Sequence, residues 1–195
     1  MSSKISAVIL AGGFGRRMGG EDKGLVLFRG KPLIRYSLDK VPVNFENVYI
    51  SANRNIKKYE SFGFEVIQDQ GEQGIGPLGG IYAALEKSCA EHLVVLPCDT
   101  PFLPKDIVNK LLYPLLNEGY DCTVACTENL NGLRRYHPTC MAIKIKQKEI
   151  LKKYLFGGGR KIMPWVKSQK YYNILFTREH DFANLNTYKE LKNLE

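Results

Sequence analysis

The segment from Val8 to Lys23, VILAGGFGRRMGGEDK, constrains the fold more than any other part of this chain. It starts as an apolar run and continues into a stretch with five glycines and three cationic side chains, those of Arg16, Arg17 and Lys23. Glycine lets the backbone approach a ligand closely, and successive exposed N–H groups bind anions. Arginine and lysine both hold phosphate. A strand followed by such a loop therefore predicts a cradle for a triphosphate.

Two widespread phosphate-binding loops do not fit this segment. The P-loop requires a serine or threonine directly after its lysine, whereas Gly24 follows Lys23. The dinucleotide-binding fingerprint requires a third glycine, and Met18 occupies that position. The remaining alternatives are a triphosphate loop of another class and a glycine-rich turn with a solvated basic rim.

Predicted strands and helices alternate along the chain. The strands cover residues 5–10, 47–52, 64–68, 93–96, 122–126, 139–145 and 172–176, and the helices cover 31–38, 78–88, 104–116, 147–156, 162–167 and the end of the chain from about Thr187. This alternation is typical of an α/β fold with a mainly parallel sheet. We therefore predict a Rossmann-like three-layer α/β/α fold, with a single domain over residues 1–195 because that length suits one hydrophobic core.

Composition and charge narrow the class of protein. No apolar run approaches the roughly 18 residues that a membrane span needs, and no secretory signal is visible. The net charge of +8 suits nucleic acid, a membrane surface or a phosphorylated ligand. However, the lysines are scattered, and no RNA-binding aromatic motif is present. We expect a cytoplasmic protein that binds neither nucleic acid nor membranes, and the five cysteines without a C-x-x-C pair predict reduced thiols.

Polar residues follow several of the predicted strands. Asp99 comes just after the apolar strand at 93–96, and ligands of open α/β sheets bind beyond the carboxyl ends of strands. Mg²⁺ is held by one or two carboxylates plus substrate phosphates, so Asp99 is a candidate metal ligand; the alternative is a cap for the helix predicted from Pro104. Asp69 follows another strand and is either a nucleotide ligand or a turn residue. Gly76 precedes a helix, where glycine lets the backbone run beside a base.

The opening loop resembles the signature of the sugar-nucleotidyltransferase-like enzymes. The matching segments are Leu10-Ala11-Gly12-Gly13, Arg17-Met18-Gly19 and Asp22-Lys23. These enzymes bind a nucleoside triphosphate on the loop and transfer its nucleotidyl group with loss of pyrophosphate. The resemblance implies that Leu10, Ala11, Gly12, Gly13 and Lys23 bind the nucleotide. It also implies that Arg17, Lys23 and Asp99 are catalytic and that Asp99 binds both Mg²⁺ and the nucleotide.

The resemblance also bears on which nucleotide is bound. Ser51 and Asn53 stand where the family often carries Asn-Ala-Asn, and Ser51 replaces the first asparagine. The family uses this region and the position of Asp69 to contact the nucleotide. Gly76 lies in a G-P-L-x-G segment like that of guanylyl-transferring members, whereas cytidylyl-transferring relatives tend to have proline at its position. The segment therefore favours GTP over CTP.

The C-terminal half resembles the molybdenum cofactor guanylyltransferases. The segments concerned are Asp99-Thr100-Pro101-Phe102, His137-Pro138-Thr139, Gly159-Arg160-Lys161-Ile162-Met163 and Asn184-Leu185-Asn186-Thr187. This implies that the acceptor is molybdopterin, bound mainly by the C-terminal half, while the N-terminal half mainly binds GTP and Mg²⁺. Arg160 and Lys161 are candidates to hold its phosphate, or else surface charges. Asn184 and Asn186 are candidate acceptor ligands, or else caps of the last helix.

The implied reaction transfers GMP from GTP to the phosphate of molybdenum-loaded molybdopterin and releases pyrophosphate. A phosphate monoester is largely ionised at pH 7, since its second pKa is about 6, so His137 is interpreted as structural or acceptor-contacting rather than as a base. The alternatives are a cytidylyltransferase, another sugar-phosphate-type nucleotidyltransferase, or a non-catalytic GTP-binding protein. Molybdoenzyme chaperones and cofactor-insertion proteins are the further partners that the resemblance suggests.

Overall fold

The computed structural model describes residues 4–12, 22–69, 75–129 and 131–185. Within these ranges the strands β1 to β9 are Ile5–Leu10, Leu27–Phe28, Lys31–Pro32, Asn47–Ser51, Glu65–Ile67, His92–Pro97, Cys122–Glu128, Arg134–Lys144 and Tyr171–Phe176. The helices α1 to α6 are Leu33–Leu38, Ile56–Glu60, Pro77–Lys87, Ile107–Asn117, Lys148–Phe156 and Ile162–Lys167. Short 3-10 helices cover Lys23–Leu25, Ile145–Gln147 and Glu179–Phe182.

Seven strands form one sheet in the order β5-β4-β1-β6-β8-β7-β9, and β2 pairs with β3 in a separate hairpin. Strands β5, β4, β1 and β6 are mutually parallel, as are β7 and β9. Only β8 in this sheet runs antiparallel to its two neighbours. The predicted α/β fold with a mainly parallel sheet is therefore confirmed. The last residues of β5, β4, β1, β6, β7 and β9 and the first residues of β8 lie along one edge, which we call the carboxyl edge.

Two hydrophobic clusters cover the two faces of this sheet. Successive side chains of a strand point to opposite faces, so Ala7 and Ile9 of β1 enter one cluster while Val8 enters the other. Helices α1 and α4 contribute to the first cluster, and α3, α5 and α6 contribute to the second. Strand β6 is buried at every position, as expected of a strand covered on both faces. The result is the predicted three-layer arrangement.

Several element boundaries differ from the prediction. Helix α4 begins at Ile107 rather than at 104, because residues 104–106 form a turn in which the Ile107 N–H donates to the Pro104 carbonyl. Strand β8 begins at Arg134 rather than at 139, since its charged start pairs with β7. Helix α2 was not predicted, because its five residues include two lysines and a glutamate and carry little apolar periodicity. The helix predicted from Thr187 lies outside the described residues.

Strand β8 contains a bulge that matters for the site. Val124 of β7 pairs with Met141, whereas the next residue, Ala125, pairs with His137. Residues 138–140 therefore have no ladder partner on β7, and Pro138, which has no N–H to donate, suits such a position. The bulge lies at the carboxyl edge, where it meets the end of β6.

Most of the cysteines are buried in the structure. Cys98, Cys122, Cys126 and Cys140 are buried, Cys89 is exposed, and all are free thiols. Cys122 and Cys126 pack inside the protein, and burial raises the pKa of Cys122 to about 12. No helix in the part of the chain that the structure describes is long and apolar enough to cross a membrane.

Candidate functional site

The carboxyl edge brings together the residues that follow β1, β4, β5 and β6. The Ala11 N–H donates to the Ser51 carbonyl over 2.8 Å, and the Cys98 N–H donates to the Leu10 carbonyl over 3.1 Å. These bonds continue the parallel ladders beyond the strands, so the residues that follow each strand start from adjacent positions. Exposed Gly12 comes next. Gly13 and Arg17 lie outside the described residues, as do the other loop positions from 14 to 21.

Lys23 and Asp99 form an ion pair across this edge. The Lys23 ammonium donates to Asp99 Oδ2 over 3.1 Å, and the two side chains are 24% and 13% exposed. The two residues are 76 positions apart in the sequence. Lys23 lies in the 3-10 helix at the end of the opening loop, and Asp99 follows β6. The structure thus brings together two of the three residues predicted to be catalytic, and it leaves Asp99 partly accessible.

A buried carboxylate fixes the segment that carries Lys23. Asp22 is 4% exposed and forms an ion pair with Arg54. Asn55, which has a φ of 50°, donates to the other Asp22 oxygen over 2.8 Å. The Leu25 N–H donates to the Asp22 carbonyl. The turn between β4 and α2 therefore anchors the end of the opening loop. Sequence reasoning missed this contact, because nothing in the spacing of the chain links Asp22 to Arg54.

Asp69 is the centre of a second network. Its carboxylate accepts from Asn53 Nδ2 over 3.0 Å and lies 3.4 Å from the Ser51 hydroxyl, and its own N–H donates to Asn53 Oδ1 over 3.0 Å. Burial raises the pKa of Asp69, while the hydrogen bonds from Asn53 and Ser51 oppose this shift. The three predicted nucleotide residues are therefore one hydrogen-bonded group. In this arrangement Asp69 is more than a turn residue.

Glycines at the start of α3 pack directly against this network. A Cβ at Gly79 would lie 2.9 Å from Asp69 Oδ2, and one at Gly80 would lie 2.2 Å from Ser51 Oγ. Gly76 has a φ of +70° with open space beside it, a conformation closed to proline, whose φ is about −65°. Close packing within the protein therefore explains Gly79 and Gly80, whereas backbone conformation explains Gly76.

The other half of the carboxyl edge is formed by β8, β7 and the segment after β9. His137 Nε2 lies 3.0 Å from the Thr127 hydroxyl, and its ring stacks on Phe182 with centroids 4.3 Å apart. Burial lowers the pKa of His137 to about 4; the Arg135 guanidinium adds to this, and Glu179 opposes it. A mainly structural role for His137 fits these contacts, because its ring is held neutral and packed at physiological pH.

The predicted acceptor residues lie in two separate places. Asn184 is exposed, and the next residue, Leu185, donates its N–H to the Asp99 carbonyl over 3.0 Å. Asn186 lies outside the described residues. Arg160 and Lys161 lie between α5 and α6, where the Arg160 guanidinium donates to the carbonyls of Leu155 and Gly159. The Lys161 carbonyl accepts from Tyr154. Arg160 therefore closes the end of α5, whereas Asn184 borders the carboxyl edge.

Comparison with known proteins identifies a family for this architecture. A family model described as the MobA-like NTP transferase domain matches residues 7–170. The molybdenum cofactor guanylyltransferase of Shewanella putrefaciens is 39% identical over 191 residues, which are 97% of this chain and 95% of that protein. The protein of the same name from Cupriavidus pinatubonensis is 39% identical and covers 98% and 96%, respectively. The crystal structure of molybdopterin-guanine dinucleotide biosynthesis protein A from Archaeoglobus fulgidus has a TM-score of 0.76 at 26% identity, over 97% of this chain and 96% of that one.

Proposed function

The chain belongs to the MobA-like NTP transferase family, and we infer from this that it transfers GMP from GTP to molybdopterin. The observation that carries the assignment is the 39% identity, over 97% of the chain, to a protein named molybdenum cofactor guanylyltransferase. The chain is a nucleotidyltransferase of molybdenum cofactor biosynthesis. Its product is the guanine dinucleotide form of the cofactor, and pyrophosphate is released.

We propose that GTP binds across the N-terminal half of the carboxyl edge. The Asp69 network and the turn at Gly76 would hold the guanosine end, since they offer carboxylate, amide and hydroxyl groups beside a close-packed backbone. Lys23, together with the loop N–H groups and Arg17, would hold the triphosphate. The Lys23–Asp99 ion pair supports this orientation of GTP. It places the cation proposed to hold the triphosphate next to the carboxylate that follows β6.

A magnesium ion fits this site through Asp99. The described ranges hold no group of three or more histidine, cysteine, aspartate or glutamate residues that could form an all-protein metal cage. Mg²⁺ does not need one, since it binds through one or two carboxylates together with substrate phosphates. We propose that Asp99 is the protein ligand. When bound, the ion would supply charge neutralisation on the transferring phosphoryl group.

In the proposed reaction, an oxygen of the acceptor phosphate bonds to the α-phosphorus of GTP. The bond from the α-phosphorus to the oxygen bridging to the β-phosphorus breaks, and pyrophosphate leaves with the electron pair. The acceptor phosphate is already largely ionised at pH 7, so no general base is required. The work left to the protein is to position two anions and offset their repulsion. Lys23 and Arg17 would do this at the transferring phosphoryl.

We propose that the C-terminal half binds the acceptor, with Asn184 and Asn186 as ligands beside Asp99. Arg160 and Lys161, the predicted contacts for its phosphate, lie elsewhere, between α5 and α6, and their role stays a prediction. The backbone bond from Leu185 to Asp99 supports the first pair, because it ties that segment to the proposed metal ligand. Molybdoenzyme chaperones and cofactor-insertion proteins are the proposed recipients of the product, and the cytoplasm is the proposed location.

Pyrophosphate release from the purified protein tests this function. We expect release only when Mg²⁺, GTP and molybdenum-loaded molybdopterin are all present, and little with CTP. Release with CTP and molybdopterin would identify a cytidylyltransferase, and release with a sugar phosphate would identify the broader class. Tight GTP binding without any release would identify a non-catalytic GTP-binding protein.

A further inference from the structure

A small cavity lies beside Asp99, on the side of β6 away from the Asp69 network. Its volume is ≈ 130 Å³, and it is lined by the end of β6, the bulge of β8 and residues 182–184. One water needs about 10–15 Å³ of such space, whereas pockets for whole drug-sized ligands begin at about 300 Å³. The cavity therefore suits one ring system, which is a part of a larger ligand.

Thr100 supplies the polar group that marks this cavity as a binding site. It lines the cavity, it is 2% exposed, and its Oγ1 has no hydrogen-bond partner among the described residues. Leaving a buried hydroxyl unpaired costs stability. Six buried side-chain atoms of the described residues have no partner, and only that of Thr100 belongs to a residue that lines this cavity. A ligand group that pairs with this hydroxyl recovers that loss when it binds.

The remaining walls are polar but carry little available charge. His137 is fixed by Thr127 and by stacking on Phe182, and its pKa of about 4 keeps the ring neutral at pH 7. Arg135 also borders the cavity, but its guanidinium is 2.7 Å from Glu179 and its side chain is 70% exposed. A dianionic phosphate would lose water here without gaining an unshared cation. A neutral heteroaromatic ring with donor and acceptor groups on its edge fits better.

We propose that this cavity binds the pterin ring of the acceptor, with the Thr100 hydroxyl as a hydrogen-bond partner of the ring edge. The proposal rests on the proposed function and adds a specificity-determining residue to it. The ring lies on the β8 side of β6, GTP lies on the β1 side, and Asp99 stands between them. The acceptor phosphate then extends from the cavity toward Asp99, where the α-phosphorus is attacked. The protein thus recognises the pterin ring in the cavity and the acceptor phosphate near Asp99.

Two substitutions at one position test the role of the hydroxyl. Thr100→Val keeps the shape and removes the hydroxyl, whereas Thr100→Ser keeps the hydroxyl. We expect Thr100→Val to raise the KM for molybdopterin about two- to tenfold, the loss of roughly one hydrogen bond, with the KM for GTP unchanged. The melting temperature should stay equal or rise, since an unpaired buried hydroxyl is gone. Thr100→Ser should keep a KM near that of the wild type.

Thr123→Val is the matched control. The Thr123 hydroxyl is also buried, but it donates to the Leu111 carbonyl on α4, away from the cavity. This variant should lose stability and keep its KM for molybdopterin. An unchanged KM for molybdopterin in Thr100→Val would overturn the proposal about the cavity. If the wild type still turns over, the proposed transferase function would stand. Absence of turnover in the wild type would count against the function itself.

Direct binding separates ring recognition from phosphate recognition. A pterin that lacks the phosphate-bearing side chain should bind the wild-type protein, compete with molybdopterin, and bind more weakly to Thr100→Val. Inorganic phosphate should not displace it. If phosphate displaces the pterin, or if the pterin binds both proteins equally, the cavity does not recognise the ring in the proposed way.

Discussion

The chemistry of the site depends on pairs of residues that the fold joins from distant parts of the sequence. Lys23 and Asp99 meet over 3.1 Å although 76 positions separate them. In the absence of ligand, each side chain compensates the charge of the other, because an unpaired charge is costly where little water reaches it. Once Mg²⁺ and GTP are bound, Asp99 would bind the metal and Lys23 would bind the phosphates.

Asp99→Asn tests the residue on which the proposed mechanism depends most. The amide keeps the shape but loses the negative charge, so we expect kcat to fall by about 10²-fold or more. The fold should be retained, because the Leu185 bond uses the backbone carbonyl of Asp99. Asp106→Asn removes a surface carboxylate that pairs with Lys110 and should leave kcat unchanged. Equal turnover in both variants would contradict the assignment.

Gly80→Ala tests the close packing of α3 on the Asp69 network. The new Cβ would lie 2.2 Å from Ser51 Oγ, and such overpacking costs about 1–3 kcal/mol of unfolding free energy. Chemical denaturation should detect this loss. Gly12→Ala is the control, since its Cβ would lie 3.5 Å from Asn53 Nδ2.

The same clash should be relieved from the other side. Adding Ser51→Gly to Gly80→Ala removes the two Ser51 atoms that the new methyl meets and leaves Leu10 Cδ2 at 3.0 Å, so the double variant should regain part of the lost stability. If the losses of unfolding free energy in the two single variants simply add in the double variant, the side chains at positions 51 and 80 do not clash.

At the level of single residues, the sequence predicted which residues lie at the site better than it predicted their hydrogen-bond and ion-pair partners. Asp69, Ser51 and Asn53 were each predicted from strand ends and resemblance, and the structure joins them into one hydrogen-bonded group. Whether they bind GTP stays a prediction. The anchoring of Asp22 by Arg54 was not foreseen, because an ion pair between residues 32 positions apart leaves no periodic pattern in a sequence.

At the level of elements, the bulge in β8 shapes the proposed acceptor side of the molecule. It sets residues 138–140 apart from the β7 ladder, and it holds His137 between Thr127 and Phe182. Residues 138–140, which the bulge sets apart, line the cavity beside Asp99. The bulge therefore forms one wall of this cavity.

The packing of His137 predicts a pH dependence of stability. Its pKa is about 4 in the folded protein and 6.5 ordinarily, so the unfolded chain binds more protons between these pH values. Its contribution is therefore fully present above about pH 6.5 and is lost as the pH falls toward 4. Between pH 7 and pH 5, wild type should lose more unfolding free energy than His137→Gln. Denaturant titrations at both pH values measure this, and parallel losses would contradict it.

Elements with strong patterns were predicted well, and irregular ones were not. Strand β1 has the bounds Ile5–Leu10 that its apolar run predicted, and α6 also has its predicted bounds. Strand β8 was placed too late, because its start has two adjacent arginines and a proline instead of an apolar run, and it gains its strand conformation from pairing with β7. The bulge itself depends on that pairing, so no local pattern could reveal it.

At the scale of the whole molecule, one sheet carries the two proposed binding regions on a shared edge. Strands β5, β4 and β1 end at the proposed nucleotide side, and β8, β7 and β9 form the proposed acceptor side, with β6 and Asp99 at the junction. The net charge of +8 suits two polyanionic substrates. The predicted division into a GTP-binding N-terminal half and an acceptor-binding C-terminal half remains a proposal, and this topology supports it.

Transfer of label from the α-phosphate of GTP tests the central claim most directly. Purified protein is mixed in a single turnover with Mg²⁺, molybdenum-loaded molybdopterin and GTP labelled at either the α- or the γ-phosphate. We predict that α-label appears in the molybdopterin product and that γ-label appears only in pyrophosphate. The Asp99→Asn variant should form product about 10²-fold more slowly or worse. Recovery of all α-label as GTP, or its release as free GMP with the acceptor unchanged, would contradict the assignment.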